Sequence, residues 1–285
     1  MYKVLKRQVG KLKSPFQGME YEPNKLYTCE DFCTDKSLDC AEGYYATDVD
    51  GLIYSFRNLP EYEVWECEVG GRKVELDQFK RRYEKIKLIR HVPNNEVKKL
   101  ALEVETEVGY KLSEALFPIN PLEIQRNNPP TEEELLWLEE WVSVRNSVRN
   151  SMWNIVRVSV GNSVGSSVWN SVWDSVWDSV GDSVGDGVWD SVWNSVWNFA
   201  LSVWDSVWNS VWNSVRDSVW DSVYAYISGL FPNIKNWKYI DHPEGVNPLQ
   251  PGINLWKAGL VPSYDGKKWR LHAGKNAEVV WEEKT

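Results

Sequence analysis

The sequence is poor in the residues that most often carry chemistry. Its 285 residues include three histidines, four cysteines and three methionines, and His91, His242 and His272 stand far apart in unrelated contexts. No Cys–His pair, nucleophile elbow, phosphate-binding glycine loop or set of metal ligands is legible, so no catalytic residue, metal site or cofactor is expected. Lysine is absent between Lys111 and Lys235, and the formal net charge is −9. A general nucleic-acid binder gains affinity from clustered cations on phosphates, so that class of partner is excluded. No run approaches the ~20 apolar residues that a membrane-spanning helix needs, so no membrane partner is expected either. Met1 to Arg7 carries positive charge, but Gln8, Gly10 and Lys11 follow where a signal peptide would have its apolar core. The expected address is cytoplasmic.

Scarcity also shapes the remaining small signals. Cys29, Cys33, Cys40 and Cys67 all lie near the N-terminus, and their spacing is too loose for a zinc site, so they read as free structural thiols. Asp48-Val49-Asp50-Gly51 lacks the later oxygen ligands of a calcium loop and reads as a turn. Gly70-Gly71 reads as a hairpin connection, not a phosphate cradle.

What the sequence has in excess is tryptophan and repetition. From Ser143 to Tyr224 it runs in tetrads, Ser-Val-(Trp/Arg/Gly)-(Asp/Asn), as in Ser171-Val172-Trp173-Asp174-Ser175-Val176-Trp177-Asp178. Thirteen of the 18 tryptophans lie from Trp137 to Trp220, so tryptophan is concentrated in the repeat and just before it. Trp, Arg and Gly share little physically, yet their codons can differ at one base, which suggests repeat expansion followed by drift. A slot that tolerates such drift is expected to be exposed in many copies, and the nearly invariant valine to face the core.

A four-residue period advances an α-helix by about 400°, so the valine stripe drifts about 40° per copy and leaves a flat core after four or five. The helical reading is therefore a set of short antiparallel helices. Breaks are expected near Gly161 and Gly165, near Gly181, Gly185 and Gly187, and at Phe199-Ala200-Leu201, where a three-residue step also partly resets the drift. The alternative is a β-solenoid with valine inward, which the weak helix propensities of Ser, Val, Trp and Asn favour. Strand alternation would instead put Val and Asp on one face, which counts against it.

Four segments follow. Residues 1–117 read as a mixed α+β module, with strands expected over Val4–Val9, Glu63–Val69 and Lys85–Arg90 and helical spacing over Glu96–Phe117. Residues 118–130 read as a Pro/Asn-rich linker. Residues 131–228 are the array, opened by the capping box Thr131 to Glu134 and the stripe Leu135, Leu138, Val142. Residues 229–285 read as a small β-rich cap, with a turn of helix at Ile253–Trp256, a hairpin tipped by Asp265-Gly266, and a strand over Ala277–Trp281. The fold class is thus α+β.

Three stretches resemble phage and gut-bacterial short-tandem-repeat proteins: Cys40-Ala41-Glu42-Gly43-Tyr44-Tyr45-Ala46, the Ser-Val tetrads, and Leu255 to Gly266 with Trp269-Arg270-Leu271-His272. In similar first modules the glycine is followed by an aromatic residue and then histidine; here Tyr45 stands in that place. The resemblance implies an uncharacterised N-terminal domain and a mobile-element origin, and no particular activity.

Two functions follow from the repeat. One is a non-enzymatic spacer or assembly scaffold that binds a protein partner or itself. The other is a ligand-binding ladder formed by Trp169, Trp173, Trp177, Trp189, Trp193, Trp197, Trp204, Trp208 and Trp212, whose ring faces would take a glycan or another flat repetitive ligand.

Overall fold

The computed structural model describes residues 1–15, 17–38, 40–56, 62–76, 80–126, 128–159, 171–184, 186–210 and 216–284. The chain mixes helix and sheet and divides into two compact units, Met1–Phe117 and Pro118–Thr285.

The first unit is built on an antiparallel sheet of seven strands: β1 (Tyr2–Gln8), β2 (Lys11–Lys13), β3 (Glu20–Tyr21), β4 (Leu26–Thr28), β5 (Tyr44–Ala46), β6 (Tyr62–Glu75) and β7 (Arg81–Val92). The order is β3-β2-β1-β6-β7-β4, and β5 also pairs with β7. An isolated bridge between Tyr2 and Thr47 joins the end of β5 back to β1. The circuit β1-β6-β7-β5 therefore closes on itself at a single point. Its interior is filled by Leu5, Tyr44, Cys67, Ile86 and Leu88. Short helix α1 (Leu52–Ser55) follows the turn at Val49–Gly51, and α2 (Asn94–Val108) and α3 (Leu112–Leu116) end the unit.

Two local expectations are corrected here. Gly70-Gly71 does not connect a hairpin, because β6 runs through both residues to Glu75. The pairing with β7 shifts register between Gly70 and Lys73, and Gly71 takes φ +73°. Glu84 fills this bulge and accepts hydrogen bonds from the Arg72 N–H and guanidinium. The helical stretch over 96–117 is likewise two helices, because Gly109 adopts the left-handed conformation that ends α2.

The second unit holds α4 (Glu132–Ser159), α5 (Ser171–Val184), α6 (Asp186–Ser210), α7 (Arg216–Ser228) and α8 (Gln250–Lys257), with the meander β8 (Val261–Tyr264), β9 (Trp269–Ala273) and β10 (Glu278–Glu282). The box at the start of α4 is reciprocal: the Glu134 N–H donates to Thr131 Oγ1 at 3.2 Å and the Thr131 N–H to Glu134 Oε2 at 2.8 Å. Arg126 completes it, donating to both Glu134 oxygens at 2.6 and 2.8 Å and to the Ala258 carbonyl. Residues 118–130 are consequently no free linker. Pro121 and Leu122 are buried, Ile119 accepts from Trp256 Nε1 and donates to the Tyr226 hydroxyl, and the segment is strapped to its own unit.

In most of the described tetrads the burial follows the slots; exceptions include Val188, half-buried beside the fully buried Trp189, and the buried Asp221. Val176, Val180, Val192, Val196, Val203, Val207, Val219 and Val223 are all buried to within 1%. Serine shares that face, with Ser175, Ser179, Ser195, Ser218 and Ser222 buried beside them, which is what a step of about 100° along a helix produces. Asp182, Asp190, Asn194 and Asp205 face solvent. Phe199-Ala200-Leu201 is no break, since α6 runs through it. Ala200 occupies the valine position four residues after Val196, and Val203 follows at three. The stripe from Val192 to Val207 then drifts about 60° where unbroken tetrads would drift about 160°. Gly181 lies inside α5 and Gly187 inside α6, so neither ends a helix; Gly161, Gly165 and Gly185 lie outside the described residues.

The serine slot also holds the segments that follow the array. Ser175 Oγ donates to the Lys238 carbonyl at 2.5 Å and Ser179 Oγ accepts from the Lys238 N–H at 2.9 Å. The Tyr264 N–H donates to Ser218 Oγ at 2.8 Å. Residues 229–285 thus belong to the same unit as the repeat, docked on its small polar side chains.

Candidate functional site

The described tryptophans of the repeat pack on one another. Trp177 meets Trp189 edge-on at 5.2 Å between centroids; along α6, Trp189, Trp193 and Trp197 follow at 6.1 and 4.9 Å. Rings of α7 interleave with them: Tyr224 stacks on Trp193 at 5.8 Å and Trp220 on Trp197 at 5.3 Å. Trp189 is fully buried and offers no face to a ligand, which corrects its place in the ladder. Trp177 and Trp193 are half-buried, and Trp197 is 37% exposed. Trp169 and Trp212 lie outside the described residues, as do the side chains of Trp173, Trp204 and Trp208.

An arginine in the variable slot also departs from the expected drift. Arg145 on α4 pairs with the buried Asp221 of α7 and lies over the Trp269 ring at 5.6 Å. Its slot is used, not merely tolerated.

In the meander, Ser263 Oγ lies 2.7 Å from His272 Nε2, and His272 Nδ1 lies 2.9 Å from the Ala277 carbonyl. Nδ1 must donate to that carbonyl, so Nε2 accepts from the hydroxyl. The geometry resembles a nucleophile and its base, but both side chains are fully buried and no substrate reaches them. Burial holds the imidazole pKa down at about 4, helped by the Arg270 charge. This is a neutral structural histidine.

A cavity of about 370 Å³ lies in the first unit, on residues the sequence did not single out as a site. Its walls come from β1 (Tyr2, Lys3, Val4), from β5 and its end (Tyr45, Ala46, Thr47), from α1 (Tyr54, Ser55) and from Ser14, Pro15 and Lys80. It sits where the closed circuit opens. Tyr2 and Thr47 exchange both backbone hydrogen bonds, at 2.8 and 2.9 Å, and antiparallel alternation turns Val4 and Tyr45 toward the same seam, two residues further on. There the strands part. Lys3 reaches across and donates from Nζ to the Tyr45 carbonyl at 2.8 Å, with the ammonium 4.9 Å from the Tyr21 ring centroid. Burial lowers the Lys3 pKa to about 8, because no carboxylate offsets its desolvation.

The glycine of the Cys40–Ala46 stretch sets this wall. Gly43 adopts φ +144°, and a Cβ there would meet the Arg82 side chain at 2.6 Å. Arg82 is itself fully buried and donates to the carbonyls of Leu38 and Asp35. Tyr45 then turns its ring outward, where the hydroxyl accepts from the Ala41 N–H and donates to the Ala41 carbonyl. The chemistry available is binding: donors, two lysines and apolar walls, with no acidic side chain among the described lining residues.

No protein-family model, curated protein or solved structure matches the chain. Among the described residues no group of histidine, cysteine and acidic side chains is placed to hold a metal ion, and no helix is long and apolar enough to cross a membrane.

Proposed function

We propose that the chain is a non-enzymatic structural and interaction protein, whose tetrad array is a scaffold of short antiparallel helices for assembly with itself or a protein partner. One observation carries the reading: eight of the nine valines whose burial is described from Val176 to Val223 are buried to within 1%, Val188 beside the buried Trp189 being the exception, while the fourth slot is turned to solvent in Asp182, Asp190, Asn194 and Asp205. Such a pattern builds a similar interior from most copies, and leaves the aromatic slot of those copies on the flank as the variable surface. Slots differing by single-base codon changes suit an array expanded in a mobile element.

The glycan-ladder alternative has less to stand on, because the described rings turn their faces toward each other across α6 and α7. The test is light scattering over a concentration series, on the full chain and on the double variant Trp197→Ser/Trp220→Ser. Self-association that falls in the variant is the expected result. A monomer at all concentrations that also retains no partner in pull-down would remove the reading.

A further inference from the structure

We infer that the open seam between β1 and β5 is a binding site for an extended peptide segment that carries a carboxylate, held as an inserted strand. The argument starts from hydrogen-bond accounting. Tyr2 pairs with Thr47, and Lys6 pairs with Lys13 of β2, so the edge of β1 is covered on both sides of Val4. Strand alternation points the Val4 N–H and C=O to that same edge, between the two covered positions. Among the described residues no backbone or side-chain group meets them there. Val4 is only 5% exposed, and buried backbone groups are paired in nearly all proteins, so their partner has to enter the cavity they line.

The opposite wall repeats the deficit. Thr47 faces β1 with both its N–H and its C=O, so Tyr45 does too, and its carbonyl is met by Lys3 Nζ in place of a backbone donor. The Tyr45 N–H has no partner among the described residues. A donor and an acceptor on one wall and a donor on the other match the alternating groups of an extended peptide, the pattern of strand addition. Apolar surface from Pro15, Ala46 and Tyr54 would cover its side chains. The volume suits a short segment, within the range of enclosed ligand sites.

Charge selects the carboxylate. The described lining residues include Lys3 and Lys80 and no Asp or Glu. Lys3 is buried with one carbonyl and one ring face as its neighbours, and a carboxylate within reach would supply the charge-assisted bonds its ammonium lacks.

The test is titration of the ¹⁵N-labelled full chain with acetyl-Val-Ala-Val bearing a free carboxylate, followed by amide shifts. The same peptide as its carboxamide, the same peptide N-methylated at its central amide, and sodium acetate serve as controls. Expected are shifts at the Val4 and Tyr45 amides, and binding roughly tenfold tighter for the carboxylate than for the carboxamide. N-methylation should weaken binding by at least a similar factor, and acetate should not compete. Lys3→Met should abolish the preference for the carboxylate, and Ser55→Trp, which fills the cavity from α1, should abolish binding altogether. Absence of shifts at millimolar peptide, equal binding of the N-methylated peptide, or full competition by acetate would each overturn the assignment.

Discussion

The two units reach a packed interior by opposite routes. In the first, each tight contact is solved once: Gly43 against Arg82, Gly71 against Glu84, Lys3 over Tyr21. In the second, one tetrad is used many times and burial is assigned by slot, with valine and serine inward and Asp or Asn outward. The difference shows where repetition stops being sufficient. The slot rule fails where a tetrad helix meets a one-off partner, as at Arg145 with Trp269, or Trp189 with Phe231. A repeat can drift freely only in copies that touch other copies or solvent.

The sharpest way to break this contrast is a charge in the valine slot. Val196→Asp places a carboxylate where the side chain has no solvent, and an unpaired buried charge costs several kcal/mol, about 4 or more. Urea unfolding followed by far-UV circular dichroism should lose the helical transition or move it strongly to lower denaturant. A loss under about 1 kcal/mol would mean that valine is not the anchor of the array.

Next comes acid. His272 has a folded-state pKa near 4, below its ordinary 6.5. The unfolded chain therefore takes up the proton first as pH falls, and stability present above about pH 6.5 is lost on the way down to 4. The loss approaches about 3 kcal/mol at the lower end. Urea midpoints at pH 7 and pH 4.5 should show it for the second unit, and His272→Gln should flatten the slope over that window. An unchanged slope in the variant would refute this assignment.

The first unit answers with the opposite experiment, removal of a charge. Lys3 is held near pKa 8 against 10.5 by desolvation, so its protonated form disfavours folding below pH 8 by about 3 kcal/mol. Lys3→Met relieves that cost and strands the Tyr45 carbonyl, for a net gain of about 2 kcal/mol at pH 7. The wild type should recover its deficit as pH rises from about 8 to 10.5, because there the folded chain has lost the proton that the unfolded chain still holds. A destabilised Lys3→Met at pH 7 would show that the ammonium contributes to the fold of this unit instead of straining it.

A local signal, the capping box, gives a smaller effect. Thr131→Ala leaves the Glu134 N–H without its acceptor and should cost about 1 kcal/mol in the same helical transition. No measurable change would mean that Arg126 on Glu134 alone fixes the start of α4.

How much of this the sequence disclosed follows from the range of each interaction. Thr131 and Glu134 are three residues apart, and the box is legible because both partners are. The tetrad period fixes which slots share a helix face, so valine as the inward residue follows from it. Serine beside it was equally implied by the 100° step but is hidden by its polarity; its use lies in Lys238 and Tyr264, dozens of residues away. The seam is the extreme case. Nothing local marks Val4 or Tyr45 as a divided pair, because the division depends on how β1, β6, β7 and β5 close. Lys3 in an alternating strand reads as an outward-facing charge until Tyr21 and Tyr45 are seen around it. Gly70-Gly71 misleads for a related reason, since a bulge and a turn use the same residue and only Glu84 on the neighbouring strand distinguishes them.

The smallest expected effect tests the variable slot itself. Trp197 is the most exposed of the described ladder residues and touches Trp193 and Trp220 only with ring surface. Arginine is already found in this slot elsewhere, and its planar group can lie on an aromatic face while its charge stays in water. Trp197→Arg should therefore change the stability of the helical transition by no more than about 1 kcal/mol. The same exchange at Trp189 leaves a guanidinium beside Trp177 and Phe231 without solvent, and should cost several times as much. Equal effects at the two positions would mean that stability does not depend on what each copy touches, and the distinction between tolerated drift and constrained slots would have no physical basis.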